Sequence, residues 1–211
     1  MLLNAQRLIY KPLANIKKME TEKDIHNRLR QDAWNNALFS YGYGYLFSHR
    51  ANKLNKKLIL ITFLGILTPL LIGGIVTTYG TTSPILKYLL IVTAPISIIQ
   101  LVISVWSIVA NWNTSYAYYL ETYLDNYNLA ERYENIGKYP SESNKDLKNE
   151  IDKIDILRSN RDKQDSKYPL SDKEKRKGMR YALRKYKRSC AGCDTIPTDM
   201  KSTECGVCGK F

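Results

Sequence analysis

The chain has 211 residues and a net charge of +12, with 25% of its residues charged, figures that read as soluble only on average. No charge occurs from Leu58 through Leu86, and Lys87 is then the single charge before Glu121. Taking that apolar middle away leaves two modest flanks, which excludes a large independent core in either and allows at most one domain with appendages.

Residues 1–57 are basic, with eleven Lys/Arg against four Asp/Glu. The opening MLLNAQRLIYKPL breaks its apolar run too early for a cleavable signal peptide. Further on, Ile25, Leu29, Ala33, Ala37, Tyr41 and Tyr45 make a stripe at helical spacing. Thr21 with Asp24 supplies a start signal, while Gly42 and Gly44 weaken the helix across YGYGYLF at 41–47. Trp34 and this stretch predict packing close to a bilayer.

Two long apolar runs follow. Leu58–Tyr79 is 22 residues and Tyr88–Ala110 is 23, both without a charge. About 20 apolar residues, rising 1.5 Å each, cross a hydrocarbon core of about 30 Å. The link Gly80–Lys87 has turn chemistry, so the pair predicts a transmembrane hairpin over 58–110. Tyr79 and Tyr88 are expected at one interface, and Trp106 and Trp112 near the other. Arg50, Lys53, Lys56 and Lys57 precede the first span whereas the turn offers only Lys87, which places the N-terminus in the cytoplasm. An even number of crossings returns the C-terminus there, giving a multi-pass protein of the inner (plasma) membrane.

Both spans carry features beyond anchoring. Gly65, Pro69, Gly73 and Thr77 form a small-residue face on the first. Thr93, Ser97, Gln100, Ser104, Ser107 and Asn111 step by three and four along one side of the second. Polar groups in lipid need a partner, so this seam predicts helix packing first. In an assembly of several copies it would line a polar path. Pro69 and Pro95 predict kinks.

After the membrane, the cytoplasmic region 111–170 holds nine Lys/Arg against eleven Asp/Glu. Tyr116, Tyr119, Leu120, Tyr123, Leu124 and Tyr127 are expected to continue the second span as an amphipathic helix that Gly137 and Pro140 end. Ser143 opens another helix with the narrow stripe Leu147, Ile151, Ile154 and Leu157. A helical cytoplasmic bundle is the expectation, completed between subunits if the chain is a homo-oligomer.

Residues 171–211 close the chain. Ser171 and Glu174 form a capping box, and the helix behind it carries Lys173, Lys175, Arg176, Lys177, Arg180, Arg184, Lys185, Lys187 and Arg188. Such a run is a solvated basic face by default, and beside lipid or nucleic acid it grips phosphate. All four cysteines then follow, Cys190 and Cys193, Cys205 and Cys208, as C-x2-C-x11-C-x2-C. Two knuckles, the second helped by Gly206 and Gly209, give the tetrahedral thiolate set of structural Zn2+; a four-thiolate iron–sulfur site has the same sequence signature. Reducing cytoplasm argues against disulfides. With only His26 and His49, and no nucleophile elbow or phosphate loop, an enzyme is the least supported class.

The chain is therefore read as an all-α membrane protein: a two-helix transmembrane hairpin, cytoplasmic helices, and a small C-terminal four-cysteine zinc ribbon or knuckle. The Trp-bearing N-terminal helix, the hairpin and the cysteine spacing together resemble the SLATT family of SMODS- and SLOG-associating two-transmembrane effectors, and within it the mobilome CxxCx(11)CxxC branch. The resemblance implies a bacterial defence effector that forms membrane pores when a partner sensor detects phage or nucleotide signals. The second reading is a membrane-tethered zinc module that recruits nucleic acid or a protein.

Overall fold

A computed structural model describes residues 21–211, all of whose regular structure is helical. The signal-peptide expectation lies outside the described residues, as does the start of the 1–57 region. Five helices follow in order: α1 (Glu22–Tyr79), α2 (Pro84–Val109), α3 (Trp112–Lys138), α4 (Asn144–Asp165) and α5 (Asp172–Lys185).

Helix α1 begins where Thr21 accepts from Asp24 N and the Asp24 carboxylate accepts from Thr21 N, a complete capping box. It then runs 58 residues without a break, about 87 Å. Gly42 and Gly44 do not interrupt it. Both are buried, and Gly42 serves a close approach: a Cβ there would stand 3.0 Å from Gly178 O on α5. The glycine cost in helix propensity, about 1 kcal/mol each, is offset at Gly42 by this contact between backbones and at Gly44 by close packing of the Tyr127 ring. Gly80, at φ 77°, closes the helix, and Pro84 starts α2 at its first position, ahead of the Tyr88 start that the apolar run implied.

Helix α2 does not continue into α3. Asn111 takes the left-handed conformation (φ 51°, ψ 43°) between them, so the chain is redirected there. Asparagine tolerates this region better than other non-glycine residues. Asn111 thus leaves the seam and marks the break between the two helices. Helix α3 ends at Lys138, between Gly137 and Pro140 as expected, and Gly137, in its last turn, is buried against the Trp34 ring.

Helix α3 runs antiparallel to the first part of α1, with Trp34 beside Gly137, Phe47 beside Tyr119 and Lys57 beside Trp112. Helices α4 and α5 complete a four-helix head. Ala33, Ala37, Leu129, Tyr133, Ile136, Leu147, Ile151 and Ile154 form its core. Leu157 is exposed, and the buried face of α4 continues instead through Arg161 and Asp165. Outside the head, α2 packs on the second part of α1. These two are the helices long and apolar enough to cross a membrane, with mean hydropathy 2.5 and 2.2 over their most apolar 18 residues.

Candidate metal centre

Helix α5 opens on a second capping box: Ser171 accepts from Glu174 N, and the Glu174 carboxylate accepts from Ser171 N. The chain leaves α5 at Tyr186, passes Lys187 in the left-handed region, and enters the first knuckle. Each knuckle repeats the same bonds. Gly192 N donates to Cys190 Sγ and Val207 N to Cys205 Sγ, both at 3.4 Å. Asp194 N donates to Cys190 O and Gly209 N to Cys205 O, at 2.8 and 2.9 Å. A CxxC turn of this kind aims both sulfurs to one side.

The four sulfurs meet. Cys190 Sγ lies 3.8 Å from Cys205 Sγ, Cys193 Sγ lies 3.7 Å from Cys208 Sγ, and all four fall within 4.8 Å of one another. A tetrahedron with metal–sulfur bonds of about 2.3 Å has sulfur–sulfur edges of about 3.8 Å. The cluster therefore fits one ion held by four thiolates, with no position left for substrate or water. An iron–sulfur cluster of several metals spreads its cysteines around a wider core than this.

Electrostatics prepares the sulfurs unequally. Backbone N–H groups of Cys208 and Val207 pull the Cys205 thiol down to about 6. Thr195 lowers Cys193 as well. Burial pushes the Cys208 thiol up, so its thiolate depends most on a cation beside it. The knuckles form turns rather than strands, so the described residues contain no ribbon. They are seated on the head: Cys190 and Cys208 are fully buried with Leu38, Ala182 and Leu183.

Arg180 ties the site to α5. Its Nε donates to Asp199 O at 2.8 Å, its Nη2 to Asp199 Oδ1 at 2.9 Å, and Nη1 lies 4.0 Å from Cys208 Sγ. The expectation of a solvated face fails at this residue, which is 7% exposed because it spans helix and knuckle. Other members of the basic run are also engaged. Arg176 donates to Lys210 O and Arg188 to Asn35 Oδ1, while Arg184 and Lys185 lie over the Tyr181 and Tyr41 rings. Lys173, Lys175, Arg184, Lys185 and Lys187 are exposed, so the expected solvated face holds at these residues.

The polar seam faces α1. Thr93 and Ser107 are buried, Ser97 and Ser104 sit between them on α2, and Gln100 Nε2 donates to Ile61 O at 3.4 Å. Gly65 makes room for that amide, whereas Gly73 of the small-residue face meets open space. Thr93 satisfies its hydroxyl on Leu89 O.

A buried ionic cluster escaped sequence reasoning. Arg161, 4% exposed, donates to Asp165, Asp125, Glu121 and Thr122, and Tyr118 donates to Asp165 at 2.6 Å. The signal was the helical step Leu147, Ile151, Ile154, Arg161, Asp165, in which charges occupy core positions.

No curated protein and no solved structure matches the chain. The family model described as Mobilome CxxCx(11)CxxC protein matches residues 30–211, taking in nearly all of α1, the other four helices and both knuckles, and the chain belongs to that family.

Proposed function

We propose that this protein is a membrane-embedded effector, not an enzyme, in conflicts between bacteria and phage or mobile elements. It disrupts the membrane as an oligomer once a partner's signal reaches its head. One observation carries the reading. Helix α1 links the head core at Ala33 and Phe47, without a break, to a stretch where Ile59, Phe63, Ile66 and Leu70 are each more than half exposed. On α2, Ile98, Leu101 and Ile108 are equally bare. An apolar surface of that extent calls for lipid as its solvent. A continuous helix then carries any displacement in the head directly into the bilayer.

The cations Arg50, Lys53, Lys56 and Lys57 favour a cytoplasmic head with both termini inside. In that reducing compartment the four thiolates hold Zn2+, which is structural because all its positions are taken. The mobilome family supports the setting, and the resemblance to SLATT effectors supplies the pore. The nucleic-acid tether draws less support, since Arg176, Arg180 and Arg188 of the basic run are spent on protein groups.

In this reading the hairpin with Gln100 on Ile61 O is the closed form, and the seam lines a path only after α1 and α2 part. The test is a membrane-potential dye in cells expressing the chain with its trigger. Wild type should depolarise cells, and Ser97→Leu/Gln100→Leu/Ser104→Leu should keep them polarised. Cells that hold full potential with triggered wild type refute the reading.

A further inference from the structure

The head and the two apolar helices meet at a groove of ≈ 560 Å³. His49, Lys53 and Lys57 line it from α1, Trp112 from α3 and Lys177 from α5. Among the described residues none of its three lysines is paired with a carboxylate. Lys57 Nζ lies 4.9 Å over the Trp112 ring, and Lys177 Nζ is 3.5 Å from His49 Nε2. The one acid in the wall, Glu174, is already held by Arg50 at 2.7 and 2.8 Å. Burial, and after it the charges of Lys177 and Lys53, hold His49 below its ordinary value.

Position identifies the anion. Lys57 immediately precedes the apolar run at Leu58, and Lys53 lies one turn before it, about 7 Å along the axis. A headgroup layer occupies roughly 5–8 Å on each side of the hydrocarbon core. The lysines thus stand at the depth of lipid phosphates, and Trp112 has the amphipathic ring that favours this layer. We propose that the groove binds the phosphate of an anionic phospholipid, whose acyl chains lie along the bare face of α1 and α2. A bound lipid would touch α1, α3 and α5 together, at the junction where head and hairpin join.

This rests on the membrane reading, and the experiment separates the two. The full chain is first tested for carbonate-resistant membrane association; release into the soluble fraction overturns the membrane reading and this inference with it. Detergent-solubilised protein is then titrated with phosphatidic acid, phosphatidylglycerol or phosphatidylcholine and retained lipid is counted by native mass spectrometry. Wild type should prefer the anionic lipids by at least about tenfold, as expected for several lysines near one phosphate. Lys53→Gln/Lys57→Gln/Lys177→Gln should lose the preference, and Lys53→Arg/Lys57→Arg/Lys177→Arg should keep it. Equal retention of all lipids by a carbonate-resistant wild type overturns the inference alone. Displacement of lipid by millimolar inorganic phosphate also overturns it, because the groove would then be a soluble-anion site.

Discussion

At the scale of single residues, glycines that look equivalent in CGVCGK have different duties. A Cβ on Gly209 would collide with the Thr203 carbonyl and hydroxyl oxygens, which belong to the loop that Lys210 N bonds. A Cβ on Gly206 meets nothing within 4 Å. Gly209→Ala therefore forces the second knuckle open and should cut metal stoichiometry, measured by elemental analysis of purified protein, to well under one ion per chain. Gly206→Ala should leave it at one. Equal metal content in the two variants would show that the knuckle tolerates the displacement. The motif alone assigns both glycines the same role, because spacing identifies a knuckle but not which backbone passes behind it.

At the scale of elements, helix pairing is set by a few fixed points. Helix α5 lies antiparallel to α1, pinned where Gly178 meets Gly42, where Arg188 donates to Asn35 and where Arg50 grips Glu174. The last of these has a pH signature. Arg50 holds the Glu174 carboxyl at about 2, below its ordinary value of 4.5. A depressed folded-state value contributes stability that is complete above the ordinary value and disappears as pH falls through the depressed one. The thermal midpoint of wild type should fall between about pH 4.5 and about pH 2 more steeply than that of Glu174→Gln, which keeps the cap. Parallel slopes would remove the pair from the stabilising contacts. Both capping boxes and the stripes of α1 and α4 were legible in the sequence because they are local or periodic. The unbroken run of α1 through Gly42 and Gly44 was not, since tertiary packing against α5 and α3 overrides propensity there. The break at Asn111 was hidden for a related reason: an uninterrupted apolar-to-amphipathic pattern does not reveal one left-handed residue.

At the scale of the whole molecule, the metal centre and the apolar hairpin stand at different distances along one helix. The cysteines close over Leu38, Ala182 and Leu183, so an ion held by the four sulfurs would fasten α5 to α1 near the middle of the head. The ionic cluster around Arg161 fastens α4 to α3 elsewhere and involves no cysteine. The hairpin has its own fastening at Gln100 and Ile61. Removal of the ion should therefore be felt selectively. A chelator leaves four thiols, with the Cys208 thiol already pushed up by burial, crowded on a core that no longer has a cation to hold them as thiolates. Structural zinc in small peptides supplies about 10–16 kcal/mol of apparent binding energy, more than the 190–211 tail can replace with its own core. Hydrogen exchange after chelation should then show lost protection in α5, the knuckles and the stretch of α1 around Leu38 and Tyr41. Protection in α2 and across the Arg161 cluster should remain. Uniform loss would mean that the ion supports the whole head, and unchanged protection that the tail is an appendage. The selective pattern is the one that would make the knuckle a clasp, able to loosen α5 from α1 while the hairpin stays folded.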